Sequence, residues 1–149
     1  MEFDVQIKSE VRKDLIEKVI PFYAKQLNIT NFKHTIVVRN NKNLRKEHQF
    51  NGQVYYSGYK EFTIELDSYL KLPRLLITLA HEMVHVKQMV RGQYQLRKAR
   101  NGRIMQGWCG KRVKADYFNR PWEIEAFKRE EILFGQLCDK INGNKRKRI

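Results

Sequence analysis

Between residues 53 and 67 the chain reads QVYYSGYKEFTIELD, and Phe62, Ile64 and Leu66 recur at every second position. A period of two puts those three side chains on one face of a strand, and the break near Ser57-Gly58 marks a hairpin or a long bulged strand. Ahead of it, the β-branched run HTIVVR at 34–39 predicts a further strand, and the Asn- and Lys-rich residues 40–53 predict a loop. Elsewhere the period lengthens. Val11, Leu15, Val19, Phe22 and Leu27 follow a three-to-four spacing behind Ser9, which predicts a capped helix that Pro21 should kink or end. No Pro or Gly interrupts the chain from Arg74 to Arg91, where Leu75, Leu76, Leu79, Met83 and Val86 form one apolar face. Pro73 suits the first turn of that helix and Gly92 its stop. Residues 93–119 show no clear period, carry glycines at 102, 107 and 110, and leave room for a short hairpin. Pro121 opens a last helix with Ile124, Phe127, Ile132, Phe134 and Leu137 as its apolar positions.

Strands followed by a pair of helices predict an α+β fold: an N-terminal helix, a small, mostly antiparallel sheet, a central helix carrying two histidines and a C-terminal helix. Residues 1–142 read as one domain, and the basic end, residues 143–149, as a disordered tail. A hydrophobic content of 42%, with eight Phe, seven Tyr and two Trp, excludes a disordered chain. No run approaches the roughly 18 apolar residues of a membrane span. Acids stand where a signal peptide would have its basic region, so a soluble, cytoplasmic protein is expected. The two cysteines, Cys109 and Cys138, form no CxxC pair, and neither a zinc ribbon nor a disulfide framework is visible.

Chemistry enters at TLAHEMVHVKQ, residues 78–88. Residues four apart on a helix share a face, so His81 and His85 can point at one spot, and Glu82 lies at the edge of that face. Two imidazoles about 2 Å from a Zn2+ ion satisfy this spacing without strain, and the adjacent carboxylate can take a proton from water that zinc has made acidic. HEMVH resembles the HExxH motif of the zincin metallopeptidases, in which one helix supplies two His ligands and the general base. That resemblance implies a hydrolase acting on a protein or peptide substrate held in extended form along a strand.

A catalytic zinc site has three protein ligands and an open position. No histidine follows His85, so a carboxylate must complete the set. Between Lys87 and Lys114 there is neither Asp nor Glu, and the next acids are Asp116, Glu123 and Glu125. The stretch PWEIEA is similar to the ligand helix of the gluzincins, small members of which carry E-x-E-A. By that resemblance Glu123 is the third ligand, Glu125 the alternative, and Glu82 the base. Gluzincins often place an Asp four residues beyond the ligand Glu to orient the first His, and here Phe127 stands at that position. Candidates for the donor to the oxyanion are Tyr94, Tyr117 and Arg120, with Tyr117 nearest the ligand helix. The substrate is expected along a sheet edge within residues 59–67.

The net charge of +14 points to an anionic partner. Nine cations without an acid join the two helices: Lys87, Arg91, Arg97, Lys98, Arg100, Arg103, Lys111, Arg112 and Lys114. With the tail, this segment suggests contact with nucleic acid, where Trp108, Tyr94 and Tyr117 could stack on bases. A peptidase acting on proteins associated with nucleic acid accounts for both features, and SprT-like proteases offer an analogy of function. The alternative is a basic nucleic-acid-binding domain whose zinc is structural or vestigial.

Overall fold

The computed structural model describes residues 1–147. The fold is α+β, as the order of elements predicts. Strand β1 (Glu2–Gln6), helix α1 (Glu10–Gln26) and strand β2 (Thr35–Asn41) form a parallel β-α-β unit. Helix α2 (Leu44–His48) and the hairpin of β3 (Gly52–Gly58) and β4 (Glu61–Asp67) follow, and β4 inserts beside β2, giving the order β1-β2-β4-β3. The main sheet is therefore mixed rather than mostly antiparallel: β1–β2 and β2–β4 are parallel, and β3–β4 alone is antiparallel. The hairpin was legible as a strand pair, but β1 carries only Phe3 and Val5 as apolar signal. Its partner lies about thirty residues on, in a register that pairs Glu2 with Thr35.

Phe62, Ile64 and Leu66 do share a face, and all three are fully buried. Against that face pack α1, α3 (Arg74–Val90) and α4 (Pro121–Lys147). Ser9 caps α1, accepting from the Arg12 amide at 3.4 Å. The helix runs through Pro21 to Gln26 instead of ending there. Pro21 is exposed, so the Glu17 carbonyl it leaves without a donor lies on the solvated side. The inward face of α1 is Ile16, Val19, Ile20 and Tyr23, while Val11 is exposed. The Tyr23 hydroxyl donates to the Leu76 carbonyl at 2.9 Å and ties α1 to α3. All five predicted apolar positions of α3 are buried, and Gly92 follows with φ +68°, the left-handed stop that a glycine adopts freely.

Two segments depart further from expectation. Residues 93–119 hold three antiparallel strands, β5 (Tyr94–Lys98), β6 (Ile104–Trp108) and β7 (Lys111–Val113), then a 3-10 turn at Tyr117–Asn119. In α4 the inward face is Trp122, Glu123, Ala126, Glu130, Leu133 and Leu137, whereas Ile124, Phe127 and Ile132 are exposed. Of the five predicted apolar positions Leu137 is buried and Phe134 packs against the core. Two acids occupy core-facing positions nearer the start, which a count of apolar residues cannot find. The same helix carries the basic end through Lys147, and the last two residues of the expected tail lie outside the described residues. Among the described residues no helix is long and apolar enough to cross a membrane.

Candidate metal centre

Helices α3 and α4 pack together, and one turn of each supplies the site. On α3, the four-residue spacing brings the rings of His81 and His85 to 4.8 Å between centroids. On α4, Glu123 lies in the first turn, where a carboxylate also suits the helix N-terminus. One of its oxygens, Oε1, receives both imidazoles: His81 Nε2 donates at 3.0 Å and His85 Nε2 at 3.1 Å. His81, Glu82 and Glu123 are each more than nine-tenths buried. Ligand atoms of His81, His85 and Glu123 all lie within 4.8 Å of one another, a buried group that could hold a metal ion. Ligands about 2 Å from a tetrahedral ion stand roughly 3.3 Å apart, so the two N–O separations already approximate a coordinated triangle.

The outer nitrogens are engaged too. His81 Nδ1 donates to Glu130 Oε2 at 2.7 Å, and His85 Nδ1 to Gln88 Oε1 at 2.8 Å. Such partners fix the ring orientation and leave both Nε2 atoms aimed at Glu123. Glu130 and Gln88 were not foreseen. Glu130 lies two turns beyond Glu123 on the same face, and so reaches the outer nitrogen of His81. The Phe127 ring instead packs edge-on against His81 at 4.7 Å. Gln88 was in plain view, three residues beyond His85, where helical neighbours meet.

Burial and hydrogen bonds act against each other throughout this cluster. Burial opposes the Glu123 charge, but hydrogen bonds from His81 and His85 outweigh it and hold the carboxyl down at about 2. Burial likewise opposes an imidazolium at His81, yet its bonds to Glu123 and Glu130 raise it to about 10. Burial opposes the charge on His85 as well, but its bond to Glu123 and the nearby Glu82 carboxylate raise it. A cation entering the triangle would displace the Nε2 protons. Glu82 differs: burial pushes its carboxyl up, with the two histidines pulling the other way.

Glu125 faces elsewhere. Its oxygens accept from Lys87 Nζ at 3.0 and 2.9 Å and from Gln88 Nε2 at 2.9 Å. Burial disfavours the charge, but the bonds from Gln88 and Lys87 prevail and lower the pKa. Lys87 is itself buried, so Glu125→Ala strands a cation in the interior. A loss of about 2–3 kcal/mol in urea unfolding is expected. Because the Glu125 carboxyl is held below its ordinary range, that advantage of the native chain is full at neutral pH. It should fade as pH falls through the lowered value. Equal stability of the two proteins at neutral pH would contradict this role for the pair.

A 190 Å³ cavity joins His81, Glu82, His85 and Glu123 to Gly52, Val54, Met89, Tyr94 and Tyr117. A 440 Å³ cavity adjoins it, sharing Phe50, Gly52, His81 and Glu82, with Phe118, Phe127 and Arg74 also in its wall. Strand β3 enters directly over Glu82: a Cβ at Gly52 would lie 2.8 Å from Thr78 Cγ2 and 3.3 Å from Glu82 Cγ, so only glycine fits. Strand β4 is interior to the sheet, and the edge beside the cleft is β3, not residues 59–67. Tyr117 lines both cavities. Burial and the neighbouring Glu123 and Glu82 carboxylates push its phenol up to about 12. Tyr94 is committed to packing on Trp122, at 4.8 Å, and Trp108 approaches the same ring at 6.5 Å. The Arg120 guanidinium lies over the Tyr117 ring at 5.8 Å.

The nine cations divide. Lys87 is the buried partner of Glu125, and Arg91 donates to the Asn28 carbonyl at 2.6 Å and covers Phe32. Arg97, Lys98, Arg100, Arg103, Lys111, Arg112 and Lys114 are all exposed on or around the small sheet. Comparison of the chain with family models, with curated proteins and with solved structures gave no match.

Proposed function

We propose that this chain is a zinc-dependent metallopeptidase of gluzincin type, working in the cytoplasm, where its two free thiols would stay reduced. The observation that carries the proposal is the convergence of His81 Nε2 and His85 Nε2 on one oxygen of Glu123, with Glu82 beside them in an open cleft. Two imidazoles and a carboxylate suit zinc, and three protein ligands leave a fourth position for water. When bound, zinc polarises a carbonyl and makes water acidic near neutral pH. Glu82 takes the proton of the attacking water and hands it to the leaving amine. Tyr117 donates to the oxyanion that develops on the peptide carbonyl. Glu130 and Gln88 hold the two imidazoles in one orientation throughout.

The test is reconstitution. Protein stripped with chelator and reloaded should carry about one zinc per chain, and hydrolysis of reduced, carboxymethylated lactalbumin should vanish and return in step. A loaded protein that cleaves none of a broad set of unfolded substrates would sink the proposal.

A second reading adds a nucleic-acid partner on the small sheet, and seven exposed cations with no acid between Lys87 and Lys114 favour it. If about five of them meet phosphates, log K for duplex DNA should fall with log salt at a slope of roughly −4.5. A flat salt dependence would reject this partner and leave the peptidase proposal untouched.

A further inference from the structure

Strand β3 ends one sheet and β5 ends the other, and among the described residues neither outer edge is paired. Between them lies a groove of 790 Å³ lined by Val54, Tyr55 and Tyr56 of β3 and Tyr94 to Arg97 of β5, with Met89 at its base. Val54, Met89 and Tyr94 also line the cavity at the metal site, so groove and site are continuous. Both strands begin at the metal end. Gly52 and Tyr94 belong to the inner cavity, Tyr56 and Arg97 to the outer groove. Hence β3 and β5 leave the site in the same direction.

The register states which backbone groups face the groove. In antiparallel pairs, hydrogen-bonded and non-bonded positions alternate. The Asp67 amide donates to the Asn51 carbonyl, which makes 51 and 67 a bonded pair. By alternation Gln53 and Tyr55 are the next positions bonded to β4, and Gly52, Val54 and Tyr56 turn their N–H and C=O groups outward. On β5, the Cys109 amide donates to the Gln93 carbonyl and the Ala99 amide to the Arg103 carbonyl. Gln95 and Arg97 fall between these pairs and bond β6, so Tyr94, Leu96 and Lys98 present their groups outward.

We infer that the groove is a two-edged slot for an unfolded segment of a protein substrate, which binds as the missing strand between β3 and β5. This rests on the peptidase proposal and names the substrate class of that site. Antiparallel pairing is the more stable kind. A strand antiparallel to both edges runs toward the metal, and the slot takes the residues N-terminal to the scissile bond. Its N–H groups would alternate between β3 and β5, so every one of them is used. A peptide added to one edge uses every second one. Folded loops cannot offer two free edges, and the slot selects extended chain over sequence.

The test is a backbone N-methyl scan on the zinc-loaded Glu82→Gln protein, which binds without turnover. The probe is a short fluorescein-labelled peptide, chosen as the tightest binder among peptides tiled across reduced, carboxymethylated lactalbumin. Each methyl within the paired segment should weaken binding by roughly fivefold or more, one hydrogen bond's worth. Losses at alternate residues only would mean a single edge and overturn the slot. So would no loss, or no peptide binding below about 1 mM. Leu96→Pro removes one outward donor without breaking the β5–β6 ladder. It should weaken the unmethylated probe to a similar degree, and unchanged affinity would exclude the second edge. Failure of the peptidase proposal reads differently: the native chain then cleaves no tile, whatever the scan returns.

Discussion

Glu82→Gln is expected to bind zinc as the native protein does and to lose about 10³-fold or more in kcat, with KM little changed. Gln has nearly the same shape and cannot accept a proton. Such a loss corresponds to roughly 4 kcal/mol of transition-state stabilisation. The position of Glu82 explains why no neighbour can stand in. It is more than nine-tenths buried beneath the start of β3. Glu123 and Glu130, the other acids nearby, are both engaged by His81. Burial raises the Glu82 carboxyl, so it holds a proton more readily than an exposed acid. A bound cation pulls the other way, and the base is thereby poised between holding and releasing. Hydrolysis by a zinc-replete Glu82→Gln protein within tenfold of native would mean that another group takes the proton.

What the chain discloses on inspection follows from how local each feature is. Helix α3 is legible because caps, apolar face and ligand spacing all lie within one uninterrupted segment, and each of its predicted apolar positions is buried. Glu123 was within reach because acids are absent from the whole stretch between Lys87 and Lys114. Other features are set by partners remote in sequence. Strand β1 is defined by its parallel pairing with β2, and the sheet edge beside the cleft passes to β3 because β4 pairs on its other side with β2. Glu130 looks like one more acid in KREE until α4 is seen to turn it onto His81. The basic run looks uniform, yet Lys87 is interior and Arg91 is spent on Asn28 and Phe32. Charge can be counted along a sequence, but its exposure depends on what the fold sets against it.

Glu123→Ala should abolish stoichiometric zinc, weakening it by more than about 10³-fold, while the fold persists. Three acids on α4 make the comparison decisive, since they lie within two turns and differ only in what they touch. Glu123 receives both Nε2 atoms, and its loss leaves two imidazoles with no third ligand. Glu130 touches only the outer nitrogen of His81. Glu130→Ala should therefore weaken zinc by about 10–100-fold, the range for groups that orient a ligand. Glu125 serves Lys87, and its alanine variant should bind zinc as the native chain does while losing stability. The order Glu123, Glu130, Glu125 in metal affinity is the expected result from competition with a chromophoric chelator. Proton release supplies an independent check. With His81 raised to about 10 and Glu123 lowered to about 2, the zinc-stripped protein keeps the His81 Nε2 proton at neutral pH. Zinc uptake should expel the His81 proton, about one per ion, and affinity should climb as pH rises. Glu123→Ala removes a carboxylate that retains this proton, so less should be expelled. Zinc bound equally by the Glu123 and Glu125 variants would mean that the ion is held somewhere other than between these two helices.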